Sequence, residues 1–324
     1  MTMYLIKRIL MIIPIVLGVT LILFVLLYSL VGSTIRFMPI YGGGDALDSL
    51  FGFLNASDNF FTKYIRYCYN VFVHFEFGRA TPAARWLTTE FSYRVRNTMF
   101  ILISGVGVTM IAGIPIGVFT ATHKNSFADR IINIVSLFFS AIPSYALATL
   151  LTLAFVVYFR IIPLFSIDYR SPIAYILPSM AIMLGGVSSV SRMTRTSMLE
   201  VLDQPYITSL RGKGLKEREI IWKHALKNAV VPTIAVLGGL ISSLLCGTLV
   251  IEYFFSVPGL GSFMLRAVSS RDHFAILGCT VIMTVILSVT NTVSDILYAL
   301  INPQIRRQYV SAKRSAPGKG TVTG

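Results

Sequence analysis

The chain has 324 residues, of which 55% are hydrophobic and only 13% charged, with a mean hydropathy of +0.73 and a formal net charge of +14. Soluble globular domains carry about 25% charged residues, so the composition excludes that class and places the chain in a membrane. The basic residues lie between apolar runs, which suits loop orientation and contact with membrane lipid rather than a nucleic-acid partner.

The apolar run Ile9–Val31 follows Lys7 and Arg8. Signal-peptide cores are about 7–15 residues long and end in a small-residue cleavage site. This run is longer and lacks that site, which predicts an uncleaved first transmembrane helix within 1–31, with Pro14 and Gly18 as points of bending. Residues 32–96 form the longest non-spanning segment. They hold seven basic and five acidic residues, the turn Gly42-Gly43-Gly44 and the aromatic run "FFTKYIRYCYNVFVHFEFG". The segment reads as a small extracytoplasmic cap with short interfacial helices, its aromatics at headgroup level.

Five further stretches contain no Asp, Glu, Lys or Arg: 97–123, 131–159, 171–191, 228–251 and 274–294. Each is near or above the roughly 20 residues a span requires. Six spans are therefore expected, five of them in a core over 97–303, followed by a small, basic and disordered tail over 304–324. Small residues recur at every fourth position in three spans: Gly105, Thr109, Gly113 and Gly117; Ser136, Ser140, Ser144 and Ala148; Gly239, Ser243 and Gly247. That spacing lets helix backbones approach closely in lipid. Gly239 and Ser243 are thus candidates for helix packing or for the wall of a translocation path. Pro115 and Pro143 are expected to kink their helices.

In the last span Thr284, Ser288, Asn291, Asp295 and Tyr298 fall on one helical face. Ser288, Asn291 and Asp295 either line a path or hydrogen-bond between helices. Glu252, at the outer end of the fifth span, suits snorkelling or a loop contact better than a proton relay. Six spans put both termini on one side. Seventeen basic residues lie on that side, against four on the other when the long cap is set aside. Long loops weigh little in this rule, so both termini and the loop 192–228 are expected in the cytoplasm.

Cys68, Cys246 and Cys279 form no framework, and His74, His123, His224 and His273 do not pair at metal-ligand spacing, so no metal site is expected. "PGKGT" near the C-terminus lacks the upstream glycine of a phosphate loop. No cofactor is expected on this chain, and any ATP would be bound by another. Spans free of mid-bilayer charge argue against an ion-coupled secondary transporter. No paired acids, and no nucleophile with its base, sit inside a span to make an enzyme.

The loop 192–228 keeps helical patterning. Leu199, Leu202, Tyr206 and Leu210 fall on one face. Asp203 is placed to cap a helix whose first turn holds Pro205, and Gly212 and Gly214 provide a C-terminal cap or sharp turn. A second helix starts near Leu215 with Ile221, Trp222, Ala225 and Ala229 on one face.

This segment, "SMLEVLDQPYITSLRGKGLKEREIIWKHALKNAVVPTI", resembles the cytoplasmic EAA loop of ABC importer permeases, in the version of the dipeptide/oligopeptide/nickel family. Gly214 matches the loop glycine and Pro232 the closing proline. "FGR" (Phe77–Arg79), "RNTM" (Arg96–Met99), "GIPIGV" (Gly113–Val118), "DR" (Asp129–Arg130) and "IPSY" (Ile142–Tyr145) fit family positions. So do "IEYFFSVPGLG" (Ile251–Gly261), "RD" (Arg271–Asp272) and "DILYALINPQIR" (Asp295–Arg306), in the right order over most of 70–307.

The resemblance, to the first or B-type subunit, implies an all-α integral membrane fold of six transmembrane helices, the type I importer permease (MetI-like) architecture. It implies no enzyme activity. It also implies pairing with a second homologous permease, docking of two ABC ATPase subunits, and delivery of solute by an extracytoplasmic binding protein at a bacterial or archaeal inner membrane. The cargo implied is a di- or oligopeptide, with nickel or another metal chelate as the alternative. By carry-over, Tyr206 to Glu219 hold the coupling helix. Tyr206, Thr208, Ser209, Arg211, Lys213, Gly214, Leu215, Lys216 and Arg218 then form the ATPase-coupling loop, with Gly214 supplying its turn. Arg211, Lys213, Lys216 and Arg218 pair with acids on the ATPase or are solvated surface charges. Two departures stand out. Gly212 replaces a helix-favouring residue in the loop, and the family's Pro-Gly-Asp-Pro after the first span is absent from "YSLVGSTIRFMPIYGGGDALDSLFG".

Overall fold

Prolines mark some helix boundaries of this chain and are absorbed inside other helices. The computed structural model describes residues 2–34, 59–77, 79–80, 85–162, 171–235, 237–270 and 272–301. Helices α1 (Thr2–Leu10) and α2 (Ile12–Thr34) meet at Met11. The ladder runs on across the join, from Met11 N–H to Lys7 and from Ile15 N–H to Met11. The bond lost is the one Pro14 cannot donate to Leu10. The run Ile6–Leu26 continues through this join as one span candidate, and Gly18 lies inside α2.

Helix α3 (Phe60–Tyr69) continues into a π-helical turn, Asn70–His74. The strands β1 (Arg79–Ala80) and β2 (Arg85–Trp86) pair antiparallel. Helix α4 (Leu87–Thr122) starts ten residues before the charge-free stretch. Glu90 and Arg94, one turn apart, join at 2.6 Å, so charge does not stop the helix. It runs unbroken through Pro115.

Helix α5 (Phe127–Ala141) and helix α6 (Ser144–Tyr158) meet at 105°. The kink expected at Pro143 is a full break: a residue before proline is pushed to extended backbone, and Ile142 has ψ 126°. Helix α7 (Pro172–Leu202) runs eleven residues past the apolar stretch and carries Arg192 and Arg195 out with it. Then come α8 (Pro205–Gly212), α9 (Glu217–Ala235), α10 (Leu237–Phe254), α11 (Leu260–Ser270) and α12 (His273–Ile301). Among the described residues four helices are long and apolar enough to cross a membrane, or up to six if the bent pairs α5–α6 and α9–α10 each make one span.

The closest packing joins α4 to α7, through the small residues expected to do so. A Cβ on Gly113 would lie 2.8 Å from Val190, and one on Gly117 would lie 2.5 Å from the Ser191 carbonyl. From the other side, a Cβ on Gly186 would lie 2.7 Å from Thr109 Oγ1. Three buried clusters stack along the molecule. One unites α2, α3, α4, α11 and α12 around Tyr67, Phe91 and Leu260. A second joins α4, α6, α7 and α10 around Ile101, Ala148 and Ile251. The third holds the end of α4 against α7, α8 and α9 around Met198, Ile207 and Ile220. The Gly42–Gly44 turn and the tail 304–324 lie outside the described residues.

Candidate functional site

The segment between α7 and α9 is a short helix on a surface, fixed by one buried side chain. Helix α7 ends at Leu202 and α8 begins at Pro205, so Leu199, Leu202, Tyr206 and Leu210 do not share one helix as their spacing suggests. Asp203 closes α7, and the residue at the N-cap of α8 is Gln204, with no side-chain cap bond. Proline at the first helical position needs no N–H partner. Ile207 is fully buried in the third cluster, flanked by the half-buried Leu210 and Leu215.

Around that anchor Tyr206, Thr208, Ser209, Arg211, Lys213, Lys216 and Arg218 are all exposed. Gly214 takes φ +78°, which L side chains rarely adopt. It turns the chain so that Arg211 meets Glu217 in a two-pronged contact, Nη2–Oε1 at 2.7 Å and Nε–Oε2 at 3.2 Å. Both partners are about half exposed, so this pair shapes the turn and contributes less than about 1 kcal/mol. Ser209 donates to the Pro205 carbonyl at 3.1 Å. The Tyr206 hydroxyl accepts from Asn228 Nδ2 at 2.9 Å, which fastens α8 to α9. Gly212 ends α8 with nothing within 4 Å of its Cβ position.

Helix α9 contains a π-helical turn, Ile220–Ala225. A π turn adds one residue, so the buried positions step by five and then four: Ile220, Ala225 and Ala229. Of the face expected at Ile221, Trp222, Ala225 and Ala229, Ile221 stays half-buried against the third cluster and both alanines are buried, while Trp222 is turned outward and 48% exposed.

The base of this platform is tied to the spans. Asp129, on the first turn of α5, receives Arg195 Nε and Nη2 of α7, each at 2.8 Å. The same carboxylate accepts from Asn125 N–H at 3.0 Å and Asn133 Nδ2 at 2.6 Å. Thr194 on α7 meets Thr233 on α9 at 3.3 Å. Helices α4, α5, α7, α8 and α9 therefore converge where the platform is mounted.

The polar face of α12 is occupied between helices. Asn291 Oδ1 accepts from Ser242 at 3.1 Å and would meet a Cβ on Gly238 at 3.2 Å. Ser288 is buried, and Asp295 pairs with Arg8 of α1, Nε–Oδ2 at 2.7 Å. The other two candidates are not brought to this seam. Ser243 is exposed, and Gly239 is exposed with nothing within 4 Å of its Cβ position, because Gly238 is the residue that faces α12. Gly239 and Ser243 share the uncovered side of α10 with Cys246, Val250 and Tyr253.

At Glu252, where the sequence suggested snorkelling or a loop contact, the side chain is buried and does not snorkel, and it contacts the start of α11. Glu252 is fully buried, accepts from Thr98 at 2.6 Å, and receives Gly261 N–H at 2.7 Å and Ser262 N–H at 3.2 Å. It caps the N-terminus of α11, where anionic groups are favoured. Thr98 in turn accepts from Leu260 N–H at 2.9 Å, and Asn97 joins the Pro258 carbonyl to the Tyr175 hydroxyl. A Cβ on Gly259 or Gly261 would run into the carboxylate, which explains the glycines of "VPGLG". The readable signal was an acid ending an apolar run a few residues before a glycine-rich helix start.

The family profile described as "Binding-protein-dependent transport system inner membrane component" matches residues 113–307. The chain is 33% identical over 308 residues to the dipeptide transport system permease protein DppB of Bacillus subtilis, covering 94% of this chain and 98% of that one. It is 30% identical over 320 residues to the oligopeptide transport system permease protein AppB of the same organism, covering 94% and 99%. To the glutathione transport system permease protein GsiC of Escherichia coli K12 it is 29% identical over 307 residues, covering 94% and 98%. Among solved structures, a chain of the inward-facing MetNI methionine ABC transporter matches with TM-score 0.56 and 16% identity over 67% of this chain and 98% of that one. That likeness concerns the fold.

Proposed function

Because the chain belongs to the family of binding-protein-dependent transport system inner membrane components, we propose that α8 and the Gly214 turn are the surface through which an ATPase drives it. The chain is a multi-pass permease subunit of an ATP-driven importer, works with ATPase and binding-protein partners, and is not itself an enzyme. In the proposed assembly it forms half of a translocation path for short peptides, beside a second homologous permease. Two ATPase subunits bind the ATP, and a binding protein delivers the solute. The peptide cargo is supported by the dipeptide, oligopeptide and glutathione permeases to which the chain is similar. The excess of basic residues on one side supports cytoplasmic termini, and the bacterial relatives support a bacterial or archaeal inner membrane.

The observation that carries the coupling role is the mounting of α8. One fully buried isoleucine holds it, its outward residues are polar or basic, and its base is welded to four other helices. A push on such a platform moves α7, α4 and, through Asp129, α5. Closure of the ATPases would rock these spans and alternate access to the path. Gly239 and Ser243, on the uncovered side of α10, are the proposed path residues. Asn291, Ser288 and Asp295 hold helices together.

The test replaces Gly214 with proline in the complex reconstituted with its second permease, ATPases and binding protein. Proline fixes φ near −65° and cannot take the +78° of this turn. Peptide uptake and solute-stimulated ATP hydrolysis are expected to be lost while the chain still inserts and assembles. Uptake at the unmodified rate would sink the proposal.

A further inference from the structure

Helix α3 and its π-helical turn lie outside the candidate site, within the segment that the sequence places in an extracytoplasmic cap. Their outward side is mainly apolar, with Thr62 and, at the end of the π turn, His74 and Glu76 also exposed. Phe61, Ile65, Tyr69, Phe72, Val73 and Phe75 are exposed by between 38% for Phe72 and 66% for Phe61 and Phe75. A contiguous apolar face of this kind is not kept in water.

The inward side fixes the depth at which the helix sits. Phe60, Tyr64 and Tyr67, spread over two turns, all meet the ring of Phe24 on α2, at centroid distances of 5.5 Å, 5.7 Å and 5.7 Å. Three turn positions on one ring mean that α3 crosses α2 instead of running beside it. The Tyr64 hydroxyl donates to the Leu17 carbonyl at 2.7 Å, inside the apolar window Ile6–Leu26. Phe24 lies sixteen residues beyond Arg8, which pairs with Asp295 at the near end. At about 1.5 Å per residue the crossing stands about 24 Å above that ion pair. A hydrocarbon core is about 30 Å thick, so α3 passes about 6 Å below its far boundary. In-plane amphipathic helices bury their apolar face about 5–10 Å deep.

We infer that α3 and its π turn are seated in the leaflet distal to the Arg8–Asp295 pair, with the Phe61–Phe75 face among lipid acyl chains just beneath the headgroups. The half-buried Lys63 and Arg66 flank this face, within reach of the headgroup level by their long stems. The cap is thereby rooted in the bilayer beside α2 and α12, and does not stand on them. The inference rests on α2 being a span, which one control reports separately.

Single cysteines at Ile65 and Val73, in a chain with C68S, C246S and C279S, are labelled with a nitroxide in the assembled complex in lipid nanodiscs. Collision rates with oxygen and with a water-soluble nickel chelate are compared. I22C, highly exposed on α2, is the lipid control, and K124C, exposed in the turn between α4 and α5, is the aqueous control. The ratio of oxygen to nickel rates at I65C and V73C is expected several-fold above that of K124C and close to that of I22C. A ratio equal to that of K124C would place the face in water and overturn the inference. Shielding from both reagents would place protein over it, a second permease or the binding protein, and overturn it equally. If I22C itself behaves as aqueous, the span assignment of α2 fails, and the depth given to α3 fails with it.

Discussion

Replacing Asp129 with alanine strikes the joint between α5 and α7, the helix that leads into the proposed coupling platform at α8. The Asp129 side chain is 4% exposed and that of Arg195 23%, and the two share a two-pronged contact. Removing one partner of a buried pair costs about 3–5 kcal/mol, because the other charge stays buried. Arg195 recovers some hydration, which favours the lower end, while Asn125 N–H and Asn133 Nδ2 lose an acceptor at about 1 kcal/mol each. The expected loss is about 3–4 kcal/mol, or an apparent Tm lowered by about 6 °C in a chain of this size. The assay is thermal unfolding of the purified complex for D129A, R195A and the double variant. Residues in one network do not act additively, so the double variant is expected to be milder than the sum of the singles by about 2 kcal/mol. Shifts that add within error would refute the argument that this pair ties α5 to α7.

Gly117→Val would place side-chain carbon where the Ser191 carbonyl and Thr194 already stand, 2.5 Å and 2.6 Å from a Cβ. A loss of about 2 kcal/mol is expected by thermal unfolding, while Gly107→Ala, with nothing within 4 Å, should be neutral or mildly stabilising; equal effects would deny the close approach of α4 and α7. Glu252→Ala leaves the Thr98 hydroxyl and two N–H groups of α11 without their acceptor, at about 1–3 kcal/mol each. Its unfolding temperature should fall below that of Glu252→Gln, which keeps part of the contact, and unchanged stability in both would remove Glu252 as the cap of α11. Gly214→Ala forces an L residue to φ +78° at a cost of about 1 kcal/mol, whereas Gly212→Ala extends a helix end into open space and should stabilise it by up to about 1 kcal/mol. The same sign for both, read as protease resistance of the loop, would contradict this assignment of the turn.

Much of this architecture was legible because it rests on local rules. Charge-free runs marked the four helices long and apolar enough to cross a membrane and the two bent pairs, and the four-residue spacing of small residues marked the α4–α7 seam. A glycine between two helical patterns marked the turn at Gly214. What escaped notice depends on partners distant in the chain or on a local change of period. The step from Ile220 to Ala225 is five residues, so a face drawn with a period of 3.6 pointed Trp222 inward when it lies outward. Pro143 carries the same chemistry as Pro115, yet one ends a helix and the other is absorbed in one. Packing around each decides, and the sequence does not print it. Asp295 finds its partner in Arg8, 287 residues away, and Glu252 finds Thr98, 154 residues away. Spacing along the chain carries no record of either.

The ties are distributed unevenly, and this bears on how a push at α8 travels. At the platform's end, α7 is joined to α4 by glycine contact, to α5 by Arg195 and Asp129, and to α9 by Thr194 and Thr233. At the far end Glu252, Thr98 and Asn97 lock α4, α10 and α11, with Tyr175 bringing in the start of α7. Helix α6 packs against α7 and α10, with Gly247 of α10 close to Ser144. Between α5, held at the platform, and α6, held toward the far lock, the chain passes through Ile142 and Pro143 in extended backbone. Proline cannot donate a ladder bond there, so this is where the α5–α6 pair resists bending least. A displacement delivered through Asp129 reaches that break before it reaches α6. Helix α4, by contrast, is continuous between the two locks and must move as one body.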